Sequence, residues 1–461
     1  MAYKKEYLSL LKVKKRMKYL SLLLCFVGSI TVQGQITKND KNYNPQHFSK
    51  KSSEISNALI KGFENNNYKI VDTLFNPQLL LKLDANRTEQ TWKSIEASYG
   101  SFKNIGSSAL KETAEANFFL IELHFEHEDL DLELSLDEND QVNSLMLLPA
   151  SNKTQWSPPS YVNLESIIEK DTSVGKIDPL LAKWTFPENN SKKAIAVFVH
   201  GSGANDMNES LGPNQFFKDL AYGLANNGIA SIRYNKRTYD YRNAATSKIN
   251  ELDIDYEVTN DAIEAVNMAN EMGYQKVILI GHSLGGHLAP KIAENSTLNG
   301  VITLAGNSSP LIDLIVPQYE YLIQNDSNTQ ITEFMLNAIK TQTKKVKDGD
   351  YDETTNAFML PFGLPGKYWK SLEGYSPVKV SKKQDIPYLI LNGDRDYQVT
   401  VAEAEQWKNG NKNKNSKTII YKGLNHLFYF GEGILLPSEY EKIGHIDSQV
   451  ISDISTWIKS L

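Results

Sequence analysis

The sequence predicts an α/β protein in which a mostly parallel sheet, flanked by helices, follows a small α+β domain. From about residue 161 onwards, short continuous apolar runs alternate with helical segments, which is typical of parallel strands buried on both faces. Within residues 52–150, by contrast, a long stretch alternates apolar and polar residues, as antiparallel strands do. With 461 residues, 41% of them hydrophobic, the chain is long enough for two cores.

The first 34 residues are predicted to be a signal peptide. Basic residues at 12–18 precede an apolar run at 19–32, and small or polar residues follow at 33–35. Because the apolar run is shorter than the ~20 residues of a spanning helix, a cleavable signal fits better than an uncleaved anchor. The start could also be Met17, which leaves a compact signal. We therefore expect an exported protein, periplasmic or extracellular, with no membrane span in the mature chain.

Composition excludes several kinds of site and partner. Cys25 is the only cysteine and lies in the predicted signal, so the mature chain would hold no disulfide, thiolate metal site or cysteine nucleophile. Leu24 is too bulky for the position before a lipid-modified cysteine. A net charge of −6, without a basic tract beyond the N-terminus, argues against a nucleic-acid partner. No metal-ligand spacing or dinucleotide fingerprint occurs, so neither a metal nor an organic cofactor is expected.

Residues 52–150 are predicted to form the small α+β domain. Helical spacing occurs at residues 53–63 and 89–100. Residues 117–148 alternate apolar and polar side chains around a turn, as in an antiparallel hairpin. The polar residues 36–50 are predicted to be a flexible lead-in, and Pro158 and Pro159 mark a linker to the next domain.

Residues 161–461 are predicted to form the larger domain. The predicted parallel strands lie at residues 194–200, 228–234, 276–282, 300–306, 386–393 and 417–422. Residues from about 307 to 380 interrupt this rhythm with helical stretches of their own. Since the strands on either side should end at the carboxyl edge of the sheet, where functional groups collect, we expect a helical cap there. The cap should pack through large apolar side chains, a few of which should line an apolar pocket. These side chains are Leu311, Leu314, Ile315, Tyr319, Ile331, Phe334, Met335, Ala338, Phe358, Phe362, Tyr368 and Trp369.

A serine flanked by glycines stands where one of the parallel strands should end. The stretch VILIGHSLGGHLAP, residues 277–290, contains Gly281, Ser283 and Gly285 in the Gly-x-Ser-x-Gly pattern of a nucleophile elbow. Glycines here let a strand turn sharply into a helix, so the serine protrudes at a helix N-terminus that favours negative charge. An apolar strand before the motif and an amphipathic helix after it supply the required context. Ser283 is therefore predicted to be a nucleophile and not part of a plain glycine-rich turn.

A serine nucleophile needs a histidine base and an orienting carboxylate, which in this kind of sheet follow in the order acid, then histidine. Asp394 and Asp396 both follow the strand at 386–393. Asp396 is preferred because it is third after Gly393, the usual spacing, whereas Asp394 is assigned to the turn.

Four histidines compete for the role of base. His426 follows the last predicted strand and is the predicted base. His445 opens the final helical segment and is the weaker alternative. His282 lies inside the elbow and His287 on the helix after it, and both are predicted to pack or support their neighbours.

An oxyanion hole is predicted beside Ser283. Residues 200–206 follow an early strand, and Gly201 allows the main chain to approach a substrate closely. The N–H groups of Ser202 and Leu284 are the predicted oxyanion donors. No base is placed to make Ser202 a second nucleophile.

Together these residues resemble the α/β-hydrolase superfamily, and the resemblance covers residues from about 165 to 461. The closer likeness is to exported or cell-envelope bacterial esterases with an appended N-terminal domain of unknown function. The motifs that carry it are HGSGANDMNE, RYNKR, GHSLGGHLAP, YWKSLEGYSP, GDRDYQV and GLNHLF. Thr238 departs from the pattern, since related hydrolases often have glycine there. The resemblance implies an α/β-hydrolase fold with Ser283 as nucleophile, Asp396 as orienting acid and His426 as base.

The resemblance also implies a carboxylic ester hydrolase that acts by two-step acyl transfer on a small-molecule ester, without a cofactor. A serine peptidase or amidase of the same fold is the main alternative, and an acyltransferase is a further one. A binding protein that kept the fold without its chemistry is the alternative from another class, and the serine, acid and histidine argue against it. The sequence leaves the oligomeric state open.

Overall fold

The computed structural model describes residues 45–150, 156–327, 329, 331–410 and 413–461. The predicted signal peptide, residues 1–34, lies outside the described residues. The chain divides into two compact units, of which the first also includes the segment Tyr241–Ser247. The second comprises Lys153–Asp240 and Lys248–Leu461. Among the described residues, none of the helices combines the length and apolarity that a bilayer span requires.

The first unit packs helices against a four-stranded antiparallel sheet with strand order β1-β2-β3-β4. Its helices are α1 (Pro45–Glu64), α2 (Val71–Leu74), α3 (Pro77–Lys82) and α4 (Ala85–Tyr99), with a 3₁₀ turn at Tyr68–Ile70. Its strands are β1 (Phe102–Glu112), β2 (Asn117–Phe125), β3 (Asp129–Leu136) and β4 (Val142–Pro149).

Local sequence explains where these helices begin and end. The Asn76 side chain caps α3 by accepting from the Leu79 N–H, and the Asp84 side chain caps α4 by accepting from the Arg87 N–H. Helix α4 ends at Gly100, whose φ of 86° suits glycine. Trp92 of α4 packs in the core with ring centroids 5.0 Å from Phe63 and 5.6 Å from Phe125.

Two features of this unit differ from the sequence prediction. Residues 45–50 belong to α1 rather than to a flexible lead-in, because Phe48 is buried in the core and anchors that end of the helix. Strand β1 was not predicted because its residues are mostly exposed and two register shifts interrupt its pairing with β2, so no period-2 pattern is visible.

The second unit is built on an eight-stranded sheet with order β14-β13-β12-β11-β7-β10-β6-β5. Its strands are β5 (Ile167–Val174), β6 (Leu180–Pro187), β7 (Ala194–Val199), β10 (Ala230–Tyr234), β11 (Lys276–His282), β12 (Gly300–Leu304), β13 (Tyr388–Gly393) and β14 (Lys417–Tyr421). A separate small hairpin pairs β8 (Ser210–Leu211) with β9 (Asn214–Gln215).

The six predicted strands of the second unit are parallel, as expected. The unpredicted strands β5 and β6 extend the sheet in antiparallel fashion at one edge. Strand β5 escaped prediction because it is an edge strand whose residues are largely polar and partly exposed. The mostly parallel sheet flanked by helices confirms the predicted α/β class.

Helices cover this sheet and connect its strands. They are α5 (Phe216–Asn226), α6 (Arg237–Asp240), α8 (Asn260–Glu271), α9 (Leu284–Ala293), α10 (Leu311–Asn325), α11 (Glu333–Lys347), α12 (Gly366–Leu372), α13 (Pro377–Ser381), α14 (Val401–Gly410) and α15 (Ser448–Ser460). Helix α7 (Arg242–Ser247) belongs to the first unit. The core around β7, β11, β12 and β13 is formed by residues such as Phe198, Ile280, Leu304 and Leu391.

The insertion between β12 and β13 is helical, as predicted, and contains α10 to α13. Its buried face differs from the predicted one on α11, where Leu336 and Ile339 are buried while Phe334 is 81% exposed. The helix begins after Thr332, whose hydroxyl accepts from the Met335 N–H. The buried residues Leu336, Ile339 and Thr343 follow helical spacing, and Phe334 lies outside this stripe. Phe358 is also exposed, whereas Tyr368 and Trp369 are buried.

Candidate active site

Ser283 lies at a sharp turn between strand β11 and helix α9. Its backbone has φ 52° and ψ −118°, a conformation that non-glycine residues rarely adopt. Two bonds of its main chain hold this turn: the Ser283 N–H donates to Leu304 O at 2.9 Å, and its carbonyl accepts from the His287 N–H at 3.0 Å. The serine therefore stands at the carboxyl end of a central strand and at the N-terminus of a buried helix.

The glycines of the motif are required by close approaches of the backbone. A Cβ at Gly281 would lie 2.3 Å from the Gly285 carbonyl oxygen, and one at Gly285 would lie 2.2 Å from that of Val199. Such distances are far inside contact, so larger residues would force strand and helix apart. A Cβ at Gly201 would lie 3.1 Å from Cβ of Ser283, which places the loop after β7 directly beside the serine.

His426 and Asp396 form a buried pair. His426 Nδ1 lies 2.6 Å from Asp396 Oδ2, and both side chains are almost fully buried. The other Asp396 oxygen, Oδ1, accepts from the N–H groups of Gln398 at 2.8 Å and Val399 at 3.0 Å. The two backbone bonds fix the Asp396 carboxylate, and its contact with Nδ1 leaves His426 Nε2 as the nitrogen that could exchange a proton.

The Ser283 hydroxyl makes no hydrogen bond to any residue that the structure describes. The structure thus brings His426 and Asp396 together but does not show a serine–histidine bond. In ligand-free enzymes such a bond often tightens only when substrate is present.

The alternative acid and base have other partners. Asp394 Oδ1 accepts from the Gly423 N–H at 2.7 Å and ties the turn after β13 to the one after β14. His445 Nδ1 lies 3.0 Å from Asp219 Oδ2. Neither residue is paired with Ser283 or His426 in the described structure.

The two predicted oxyanion donors have unoccupied N–H groups. Ser202 follows Gly201 in the loop beside Ser283, and Leu284 is the first residue of α9. Neither N–H donates to another group among the residues that the structure describes. By contrast, the Gly201 N–H donates to Glu209 Oε1 at 2.7 Å and cannot serve the same purpose.

His282 forms a buried ion pair that the sequence did not reveal. His282 Nδ1 lies 3.1 Å from Glu209 Oε1, and Nε2 donates to the carbonyl of His426 at 3.1 Å. Burial lowers the pKa of His282, but the Glu209 carboxylate outweighs it and the net pKa is raised. Burial raises the pKa of Glu209, but the imidazolium outweighs it and the net pKa is lowered. The contact of His282 Nε2 with the His426 carbonyl supports the His426 backbone, while Glu209 had no recognisable sequence signal.

The remaining buried histidines are neutral. Burial lowers the pKa of both His200 and His287 to about 4. His200 Nε2 lies 3.0 Å from Asp206 O, and His287 Nδ1 lies 2.9 Å from Asn307 O. Both side chains therefore support loops around the candidate site.

A cluster of possible metal ligands occurs in the first unit. Among the described residues, side-chain ligand atoms of Glu122, His124 and Asp129 lie within 4.8 Å of one another. His124 Nδ1 is already 2.9 Å from Asp129 Oδ1, and Glu122 Oε2 accepts from Ser107 Oγ at 3.2 Å. These contacts account for the cluster without an ion.

Comparisons with known proteins give matches for both parts of the chain. Residues 192–307 match a family described as alpha/beta hydrolase domain. Residues 56–145 match a family described as protein of unknown function (DUF3887). Esterase EstD from Thermotoga maritima is 33% identical over 402 residues, which are 87% of this chain and 93% of that protein.

Solved structures also align with the chain. An esterase from Pyrococcus furiosus is 15% identical and covers 68% of this chain and 96% of its own, with a TM-score of 0.41. Est1E from Butyrivibrio proteoclasticus, solved with ferulic acid bound, is 14% identical and covers 63% of this chain and 100% of its own, with a TM-score of 0.40.

Proposed function

Since the chain belongs to the α/β-hydrolase esterases and is a carboxylic ester hydrolase, we propose that Ser283, His426 and Asp396 are its catalytic triad. The single observation that carries this proposal is the buried contact of 2.6 Å between His426 Nδ1 and Asp396 Oδ2, next to a serine at a strained elbow. Asp396 Oδ2 accepts a hydrogen bond from the His426 Nδ1–H, so the basic lone pair is on Nε2.

In the first half of the reaction, Ser283 Oγ attacks the ester carbonyl and its proton passes to His426 Nε2. A bond forms between Oγ and the carbonyl carbon, and the carbonyl oxygen becomes an oxyanion. The N–H groups of Ser202 and Leu284 donate to that oxyanion. The intermediate then breaks its bond to the alcohol oxygen, which takes the proton from His426 and leaves.

In the second half, water attacks the acyl-enzyme while His426 Nε2 takes a proton from it. The same two N–H groups bind the second oxyanion. The bond between the acyl carbon and Ser283 Oγ breaks, and His426 returns its proton to Oγ. The products are a carboxylic acid and an alcohol, and the enzyme is restored without any other reagent.

The proposal is tested by labelling and by substrate comparison. A fluorophosphonate probe should label the wild-type protein and not Ser283→Ala, whose kcat on p-nitrophenyl esters should fall by about 10³-fold or more. Aminoacyl anilides should be much poorer substrates than the esters. Near-normal ester hydrolysis by a folded Ser283→Ala variant would contradict the assignment, and preferred cleavage of anilides would indicate a peptidase.

We also propose that the enzyme is exported. The support is the basic and apolar pattern of residues 12–35. Cell fractionation with N-terminal sequencing should find a chain that begins shortly after residue 34 outside the cytoplasm. An intact N-terminus on a cytoplasmic protein would exclude export.

A further inference from the structure

A buried ammonium group holds the loop that carries Ser202. Lys236 follows strand β10, and its side chain is 2% exposed. Its Nζ donates to the carbonyl oxygens of Gly201 at 2.9 Å and Gly203 at 2.8 Å, and to Glu257 Oε1 at 2.6 Å. An ammonium group has three N–H donors, so these three acceptors use all of them.

Burying a charge in this way is costly for the fold. An ammonium group loses a large solvation free energy on burial, and well-packed apolar replacements of buried ion pairs are often no less stable. Stability alone is therefore a poor reason for a lysine at this place. Two of its three acceptors are the carbonyls on either side of Ser202, which indicates a role in the loop.

Peptide geometry converts this contact into an orientation for Ser202. The carbonyl of Gly201 and the N–H of Ser202 belong to one planar trans peptide unit and point in opposite directions. A cation that holds the Gly201 oxygen therefore directs the Ser202 N–H away from Lys236. The same cation polarises the amide, which makes that N–H a stronger donor.

The helical insertion keeps the ammonium in place. Tyr368, on helix α12, donates through its hydroxyl to Glu257 Oε2 at 2.8 Å. Glu257 thus accepts from Lys236 with one oxygen and from Tyr368 with the other. Both Tyr368 and Glu257 are buried, so the chain of contacts is shielded from water.

We propose that Lys236 is a positioning residue that orients the Ser202 N–H in the oxyanion hole, and that Glu257 and Tyr368 hold Lys236 in position. This inference rests on the proposed function, in which the Ser202 N–H binds the oxyanion. Lys236 touches no reacting atom and acts through the Gly201 peptide unit.

The principal test is Lys236→Met, which removes the charge and the donors at similar length. Its kcat on a p-nitrophenyl ester should fall about 10- to 100-fold, because small displacements of catalytic groups have effects of this size. The KM should change by less than about two-fold, because the oxyanion contact forms in the transition state. The affinity for a trifluoromethyl ketone that forms a tetrahedral adduct with Ser283 should fall in parallel with kcat.

Arg237→Met is the matched control. It removes the next cation along the chain, whose guanidinium pairs with Asp261 at 2.5 Å instead of with the loop. Its kcat and ketone affinity should stay within about two-fold of wild type, even if its thermal stability falls. If Lys236 had a purely structural role, kcat and ketone affinity would change no more in Lys236→Met than in Arg237→Met.

Tyr368→Phe extends the test because it removes only one hydroxyl. Its kcat should fall about three- to ten-fold, and its melting temperature should also fall, since a buried Glu257 oxygen loses its hydrogen-bond partner. If Lys236→Met does not fold, this variant decides, and unchanged kcat and ketone affinity would overturn the proposal.

A folded Lys236→Met variant with wild-type kcat and ketone affinity would also overturn it. Ser283→Ala, assayed beside it, separates this failure from a failure of the proposed function. An inactive Ser283→Ala with a normal Lys236→Met rejects only the positioning role, whereas an active Ser283→Ala rejects the triad itself.

Discussion

At the scale of single residues, the two aspartates after β13 have distinct surroundings although they are two positions apart. Asp396 faces His426 Nδ1 and receives two backbone N–H groups, whereas Asp394 receives the Gly423 N–H. We therefore expect replacement of the two carboxylates to affect turnover differently.

Asp396→Asn should lower kcat by about 10³- to 10⁴-fold, because an amide N–H facing Nδ1 favours the wrong imidazole tautomer. The fold should persist, since the amide oxygen can still accept from Gln398 and Val399. Asp394→Asn should change kcat little, because its amide oxygen can still accept from Gly423. Steady-state kinetics with p-nitrophenyl esters measures kcat of both variants. A larger loss of kcat in Asp394→Asn than in Asp396→Asn would transfer the acid role to Asp394.

Buried histidines near the site should impose opposite pH dependences on stability. The pKa of His282 is raised in the folded protein, so its stabilising contribution is complete below about pH 6.5 and is lost as pH rises through the raised pKa. The pKa of His287 is lowered to about 4, so its contribution is complete above about pH 6.5 and is lost on acidification towards pH 4.

The free energy of unfolding in urea, measured for wild type and His282→Gln between about pH 5 and pH 9, tests this difference because histidine titrates near this range. The destabilisation caused by His282→Gln should be largest near pH 6 and should shrink at alkaline pH. His287→Gln is the matched control, and its effect should shrink at acid pH instead. A destabilisation by His282→Gln that is the same at every pH would show that folding does not shift the pKa of His282, and one that shrinks at acid pH would show that His282 is neutral in the fold.

At the scale of elements, helix α10 of the insertion is attached to the loop that carries Asp396. Tyr321 stacks on Tyr397 with ring centroids 4.4 Å apart and planes inclined by 2°. Gln318 Nε2 donates to Gln398 O at 3.0 Å. The insertion therefore contacts the residues that adjoin the candidate acid, and we expect it to influence which acyl chains are accepted, with a preference for short to medium chains.

Tyr321→Ala should remove the stack, lower the free energy of unfolding by about 1–2 kcal/mol and alter the acyl-chain preference. Tyr321→Phe is the control, since it keeps the stack and loses only the hydroxyl's bond to Leu435 O at 3.1 Å. The measurement is kcat/KM across a series of p-nitrophenyl esters of increasing acyl length. Identical preferences in a folded Tyr321→Ala variant would show that α10 does not shape the acyl site.

The base of the insertion is also fixed to the sheet domain by a buried carboxylate. Glu403, on helix α14, accepts from the N–H and hydroxyl groups of both Ser308 and Ser309, all within 2.7–2.8 Å. These bonds hold the chain where it leaves β12. The insertion thus starts from a point that is fixed to the sheet domain.

At the scale of the whole molecule, the segment Tyr241–Ser247 belongs to the first unit although its neighbours in sequence belong to the second. Arg242 pairs with Glu133, and its guanidinium carbon lies 4.9 Å from the centre of the Phe118 ring. The Ala244 N–H donates to Glu115 Oε1 at 3.2 Å. These contacts hold the segment within the first unit.

A chain that begins at Ser160 should lose these contacts while keeping all three proposed triad residues. We expect it to react with a fluorophosphonate probe and to be cut faster than the full chain at residues 241–247 in limited proteolysis. Glu133→Gln in the full chain is the control, and its rate of cleavage at residues 241–247 should increase by a smaller amount. If the shortened chain is folded but fails to react with the probe, the small domain contributes directly to the active site.

Much of this molecule could be predicted from the sequence because the relevant signals are local. Apolar runs identified the six parallel strands, and the spacing of Gly281, Ser283 and Gly285 identified the elbow, since both depend on contiguous residues. The order of Ser283, Asp396 and His426 along the chain was sufficient to nominate them. The contact between His426 and Asp396 was then expected from the parallel sheet, whose strands end at one edge.

Contacts between distant residues were decided only by the tertiary structure. Lys236 binds a carbonyl 35 positions away, and Tyr368 binds a carboxylate 111 positions away. Neither residue has a local pattern that points to its partner, and the pairing of Glu209 with His282 is equally invisible in sequence. The same holds for the edge strand β5, whose place depends on pairing and not on its own apolarity. A buried charge is tolerated only where the fold assembles its acceptors, so such sites emerge when the chain has packed.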